Sequence, residues 1–346
     1  MTSQPPRNRF VTWLASLRWT EILRILLAVA LIGVVVSKTD PAEVKSLVNE
    51  LSWSWLGAAL LLYCLLTFLK SIQYWILLGK RVPYQDVTRI VVIQNGLSNL
   101  VATSAGIASY LTLFRVEQNV RISRSGIVFI ISKASDLFTT GLILLVSAWL
   151  VWDRVGPLHQ VVTLLLGIIF VGLCVFWAAI FLRQKFMVQL QRLVNWMRLG
   201  HVKLIRTGLD VLQSIADQEH AAIMRTLISG LVISTVYMTV TMAYSYCRVQ
   251  AFRVPLDFWA VIFIACLIQL VSLIPIQAFG GLGVVEITSV YLYDMFNVVQ
   301  VDMAAILIGM RVVFYLFNLV ILLYLPLEAL YRRITGKTPS KPADAA

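Results

Sequence analysis

Charged side chains interrupt apolar runs that are long enough to matter in a bilayer. Lys133 and Asp136 lie within Ser125–Trp152, Arg311 lies within Met303–Leu325, and Glu286 opens the run Val284–Phe296. An ion in hydrocarbon is expensive, so such residues are expected to face the protein interior or a water-filled path. Lys133 and Asp136 are at i and i+3, so they share a helix face and can pair. At 1.5 Å per residue, Lys133 lies roughly 12 Å in from the cytoplasmic end of its run, and Arg311 lies at about the same depth from the opposite end of its own. Two cations at matching depths from opposite faces suit an anionic headgroup carried across the membrane. The plainer arrangement makes both sets structural, Lys133 with Asp136 and Arg311 with Glu286. Lys70, in a fifth position within an apolar run, is expected to snorkel to the rim.

Glu286 closes the stretch Ser272–Glu286, SLIPIQAFGGLGVVE, which stands between the apolar runs Trp259–Ile274 and Val284–Phe296. Pro275 removes a backbone donor, and Gly280, Gly281 and Gly283 favour non-helical backbone. Hydrocarbon cannot satisfy freed peptide groups, so broken backbone at membrane depth must be buried in protein or line a polar cavity. Transporters build substrate sites from half-helices meeting in this way; the alternative is a plain extramembrane loop. A carboxylate in the first turn of a helix is favoured by the macrodipole, and it partly cancels the positive end that would attract an anion. Glu286 is therefore expected as a counter-ion to Arg311, a proton site, or a partner for a cationic headgroup. Asn95, Asn99 and Gln269 are expected to bond between helices or to line a polar path.

The elements that must position these groups follow from composition. The chain has 346 residues, of which 59% are hydrophobic and 13% charged, with a mean hydropathy of +0.83. That profile belongs to an integral membrane protein, and long apolar runs containing Gly and Pro point to helices rather than a barrel. The net charge of +12 comes from basic residues clustered between the runs, which argues against nucleic acid as a partner. The four cysteines lie singly in apolar runs and the three histidines are isolated, so no disulfide, metal or cofactor is expected. There is no P-loop, HExxH or GxSxG motif, so no catalytic activity is expected, and any transport is passive, gradient-driven or partner-coupled.

The expected organisation is a cytoplasmic segment at 1–20, a transmembrane domain at 21–330 and a disordered cytoplasmic tail at 331–346. Spans are expected at Glu21–Ser37, Trp53–Leu78, Ser125–Trp152, Gln160–Leu182, Thr226–Tyr246 and Met303–Leu325. The first follows Arg7, Arg9, Arg18 and Arg24 and reads as an uncleaved anchor. Ile90–Phe114 is too short for two crossings of a ~30 Å core and reads as a hairpin entering and leaving on one side. The basic connector from Arg183 carries Phe186, Leu190, Leu193 and Met197 at helical spacing, as in a helix lying on an anionic leaflet. Basic residues divide 21 inside to 5 outside (Arg248 among the latter), with both termini cytoplasmic in the plasma membrane. Parity does not decide whether Asp257–Val298 is one re-entrant hairpin or two crossings. If it is re-entrant, the fold is an all-α polytopic membrane protein of about six full spans and two broken hairpins, arranged as an inverted repeat.

With Ser272–Glu286 and Arg311 in place, the chain resembles the lysylphosphatidylglycerol synthase transmembrane family of flippase-like membrane proteins. Pro275, Gly280, Gly281, Gly283 and Glu286 fit the family's P-x-x-GGLG-x-x-E pattern with slightly different proline spacing. Asn99, Gly106, Lys133 and Asp136 fit its upstream hairpin and the charged pair of the next span, whereas Ala102, Ser104 and Ile107 stand where Pro, Arg and Glu are common. The resemblance covers nearly the whole chain without the lysyl-transfer domain, which implies lipid movement rather than synthesis. The expected cargo is an anionic or aminoacylated phospholipid, or a polyprenyl- or glycan-linked lipid. Lys133, Arg311 and Asn99 are expected at its headgroup, with Asp136 and Glu286 as counter-ions or proton sites. The rival expectations are a membrane-embedded lipid transferase and a non-transporting partner of a lipid or envelope biosynthesis enzyme.

Overall fold

A computed structural model describes residues 51–172, 174, 175, 188, 192, 220–272, 284–296, 298 and 303–335. All elements among them are helices: α1 (Trp53–Leu77), α2 (Tyr84–Leu100), α3 (Thr103–Gln118), α4 (Ile122–Leu150) and α5 (His159–Gly172), then α6 (His220–Ala251), α7 (Phe258–Val271), α8 (Val284–Met295), α9 (Met303–Leu322) and α10 (Tyr324–Thr335). Among the described residues, four stretches are long and apolar enough to cross a membrane: α1, α4, Met224–Ala251 of α6, and Ala305–Arg332, which joins α9 to α10. The protein is an all-α polytopic membrane protein. The expected first span lies outside the described residues, and α5 is the described part of the expected fourth. The amphipathic connector after Arg183 also lies outside them, apart from Val188 and Arg192. The expected tail at 331–346 is helical as far as Thr335, because Arg332 is held by Asp86 and Glu328.

Helices α1 and α6 run antiparallel along each other. The Ser52 N–H donates to the Ala251 carbonyl at 2.9 Å, so the start of α1 meets the end of α6. At the other end, a Cβ on Gly230 would stand 3.3 Å from Leu77. Arg124, in the first turn of α4, donates to the Leu78 carbonyl at 3.2 Å, so α4 starts at the Leu77 end. Its far end reaches Arg154, which pairs with Asp257 ahead of α7 and lies 4.8 Å from the Phe296 ring centroid after α8. Trp53, Trp55, Trp149, Trp152 and Trp259 are all exposed at this second end. Indole rings collect at the headgroup level of a bilayer, and these five mark one such interface.

The α2–α3 hairpin is the expected element, longer at both ends than Ile90–Phe114. Gly106 is the contact that closes it: a Cβ there would fall 1.8 Å from Ser98 Oγ and 2.7 Å from the Gln94 carbonyl oxygen. Arg89 and Glu117 pair across its open end. A buried cluster of Tyr74, Tyr110, Phe114, Val128 and Ile131 seats the hairpin against α1 and α4. Helices α7 and α8 pack on each other as a second hairpin, with Phe263 of α7 against Phe296 after α8; residues 273–283, with Pro275, Gly280, Gly281 and Gly283, lie outside the described residues. Helix α7 is buried at every residue from Ala260 to Ile264, as an all-round apolar sequence requires. With 14 and 12 residues, α7 and α8 are each short of the roughly 20 needed to span a bilayer.

The two hairpins open toward opposite ends of the molecule. The packing is also exchanged consistently between the halves α1–α4 and α6–α9. Helix α4 packs on α6 and α7, and α9 packs on the equivalent α1 and α2. This is the pattern of an inverted repeat.

Candidate functional site

The end of α2, the end of α7 and the start of α8 line one cavity of about 380 Å³. Asn95, Ser98 and Asn99 enter it from the end of α2, and Gln269, Ser272, Glu286 and Ser289 enter from α7 and α8. Helix α4 contributes Lys133, α9 contributes Arg311, and α6 contributes Tyr237, Tyr244 and Arg248. Of the residues expected at the site, Lys133, Glu286, Arg311 and Asn99 therefore share one space although they come from four elements. Asp136 does not line it.

At the wall, Arg311 Nε donates to Glu286 Oε1 at 2.7 Å, and its Nη2 lies 2.5 Å from the same oxygen. Glu286 thus takes the counter-ion place foreseen for it, in the first turn of α8. Its side chain keeps 25% of its surface exposed and that of Arg311 keeps 14%, so both remain open to the cavity. Asn99 Nδ2 donates to Asn318 Oδ1 at 2.8 Å and reaches Tyr63 Oη at 3.3 Å, tying the first hairpin tip to α9 and α1.

Asp136 instead pairs with Lys70, at 2.5 Å. Sequence proximity suggested Lys133 as its partner, but rotation of α4 turns the carboxylate toward α1 and α6 and leaves Lys133 exposed on the cavity side. Lys70 does not snorkel. Its ammonium has three donors, and they find Asp136 Oδ2, Gln73 Oε1 at 2.7 Å and Ser132 Oγ at 2.9 Å. Ser234 of α6 donates to Asp136 Oδ1 at 2.7 Å, and the Tyr237 ring lies 4.7 Å from the ammonium. An ion satisfied this fully gains nothing by reaching for water. Part of the signal was legible, since Lys70–Gln73 and Ser132–Asp136 stand at same-face spacings on their helices.

Arg248 was the other residue sequence reasoning misplaced, in an outer loop. The apolar run ends near Tyr246, but the helix continues to Ala251 and carries Arg248 into the cavity wall. Its guanidinium lies 5.5 Å from the Tyr244 ring centroid.

Residues 22–321 match the family described as Lysylphosphatidylglycerol synthase TM region. The chain belongs to that family. Its members' membrane region is linked to lipid handling, which fits a cavity whose wall mixes cations, tyrosines and apolar side chains. No curated protein and no solved structure matches the chain.

Proposed function

We propose that the protein moves a phospholipid, or a polyprenyl- or glycan-linked lipid, between the leaflets of the plasma membrane, with both termini cytoplasmic. The observation that carries this reading is the convergence of two half-length hairpins, entering from opposite ends, on one cavity that holds Lys133 and Arg311. The described ends of α2, α7 and α8 offer the cavity polar side chains, while the rest of each hairpin stays packed against α1, α4 or α9. Rocking one half against the other would then expose the same cavity to either face, the movement expected of an inverted repeat. Lys133 and Arg311 bind the headgroup, Asn99 positions the first tip, and Glu286 balances Arg311 when the site is empty. The protein forms no covalent bond to the lipid and needs no cofactor.

Reconstitution into vesicles containing labelled lipid tests the proposal. Scrambling of the label without any new lipid product supports it. Formation of a product makes the protein a transferase, and neither scrambling nor product makes it an accessory of a lipid or envelope biosynthesis enzyme. Lys133→Ala and Arg311→Ala, folded as judged by gel filtration, are each expected to abolish most of the scrambling.

A further inference from the structure

We infer that the cargo headgroup carries a sugar ring, stacked in the aromatic corner of Tyr63, Tyr244 and Phe314 and held by the polar side chains beside it. This rests on the translocation reading and selects a glycan-linked lipid as its cargo. Tyr63 is the centre of the corner. Its ring centroid lies 5.4 Å from that of Tyr244 and 6.2 Å from that of Phe314, and its Oη accepts from Asn99 Nδ2 at 3.3 Å. All four residues line the cavity, and Tyr63 and Phe314 are only half-buried, so part of each ring stays open to it. Asn95 stands one turn before Asn99 on the same helix face and lines the cavity too. Its side chain makes no hydrogen bond among the described residues, which leaves the amide to a ligand.

The hydroxyls of the cavity wall decide which headgroup suits this corner. Thr67, Thr241, Ser245, Ser272 and Ser289 each donate their one proton to a carbonyl of their own helix, at 2.7–3.4 Å. What they keep for the cavity is lone pairs. A phosphate or carboxylate is itself only an acceptor and gains nothing from them. A sugar hydroxyl donates to such oxygens and accepts from Asn95 or Arg311 in turn. An ammonium headgroup could also donate and could stack on the rings, but cations already hold those places. The Arg311 guanidinium lies 5.7 Å from the Phe314 ring centroid, and that of Arg248 lies 5.5 Å from the Tyr244 ring centroid. A neutral sugar meets no such repulsion, and the C–H face of its ring suits the negative face of an aromatic ring. The volume of about 380 Å³ lies near the lower end of the ~300–1,000 Å³ of small-ligand pockets, which suits a headgroup and leaves acyl chains in the bilayer.

Protein in phosphatidylcholine nanodiscs, purified without glycoside detergents, is titrated with glucosyl- and galactosyl-diacylglycerol. Diacylglycerol, phosphatidylglycerol and phosphatidylethanolamine of matched acyl chains are the comparison. The better bound glycolipid is expected to bind about tenfold more tightly than any of these three, since a site built for hydroxyls rejects ligands that lack them. Phe314→Leu and Thr241→Val each remove most of that preference, Phe314→Tyr and Thr241→Ser retain it, and Lys80→Gln leaves it intact. Equal affinity for diacylglycerol or phosphatidylglycerol overturns the inference, as does a preference that survives Phe314→Leu with Thr241→Val. Methyl glucoside and methyl galactoside in solution form a separate arm. Displacement of the glycolipid by either at equal concentration assigns the site to a free sugar and overturns the lipid assignment. Scrambling without headgroup preference sinks this inference and spares translocation; preferential binding without scrambling does the reverse.

Discussion

The Lys70–Asp136 network offers a quantitative test, because it separates what holds the helices together from what touches cargo. Both side chains are 8% exposed and neither lines the cavity. In Lys70→Met, Asp136 keeps Ser234 and a long contact to Gln73 at 3.4 Å but loses its cation. In Asp136→Asn, Lys70 keeps Gln73, Ser132 and two tyrosine rings but loses its anion. Removing one partner of a buried ion pair costs about 3–5 kcal/mol, because the other charge stays behind uncompensated. At about 2–4 °C per kcal/mol, each single variant should melt roughly 6–20 °C lower. The double variant leaves no buried charge and should cost much less than the two singles added together. Melting can be followed with a thiol-reactive fluorophore, since Cys247 and Cys266 are buried and become reactive as the core opens. If the two effects add to within about 0.5 kcal/mol, the side chains are not coupled and the reasoning fails. Because the pair stands apart from the cavity, the folded double variant should still scramble lipid.

Gly106→Ala brings a methyl group against Ser98 Oγ, which can rotate, and the Gln94 carbonyl, which cannot. It should cost about 1–3 kcal/mol as overpacking, and adding Ser98→Ala should recover only part of the lost melting temperature. In a cysteine-free background, Val116→Cys, at the base of the first hairpin, and Asp294→Cys, near the base of the second, should be labelled by an impermeant maleimide from opposite sides of the membrane. Labelling of both from one side refutes the inverted arrangement. Burial alone would push the Asp257 carboxyl up, but the Arg154 guanidinium and the Ala260 N–H outweigh it and hold it below its ordinary value. A depressed folded-state pKa contributes stability above the unfolded value, about 3.9, and that stability is lost as pH falls through the lower folded value. Asp257 caps α7 and its ion pair is half-exposed, so Asp257→Ala should cost only about 1 kcal/mol near neutrality. The gap in melting temperature between wild type and Asp257→Ala should be flat above about pH 5 and should shrink in acid. A gap that widens in acid contradicts that assignment.

The sequence reading succeeded where one residue's cost decides its surroundings. Charges in apolar runs had to turn inward, and Lys133, Glu286 and Arg311 did so. A 25-residue apolar stretch with Asn95, Asn99 and Gly106 could not cross twice, and it folds back on itself. Pairing was harder to see, because a partner depends on how helices rotate against each other. Asp136 finds Lys70, 66 positions earlier, over Lys133 three positions away, and Ser132, Ser234 and Gln73 carried no sequence signal strong enough to reveal the network. Arg248 was misread for a different reason: hydropathy marks where the membrane ends, and α6 outlasts its apolar run.

The Lys70–Asp136 and Glu286–Arg311 pairs are built for opposite purposes. Lys70 and Asp136 bind three helices, α1, α4 and α6, and the ammonium has its full set of acceptors, so exchanging a partner for an incoming ion would break several bonds to make one. Glu286 and Arg311 link α8 to α9, and they stand at the cavity wall with more of their surface open. A headgroup anion arriving there meets a guanidinium that can accept it beside the carboxylate or in its place, at little cost in helix packing. A carrier needs both kinds of site, since a frame that loosened with its cargo would let water and ions follow. Charge substitutions at the wall should therefore abolish transport while leaving melting nearly unchanged, and single substitutions at Lys70 or Asp136 should lower melting first. Observation of the reverse pattern would mean that the cavity is scaffold and that the Lys70 network is the site.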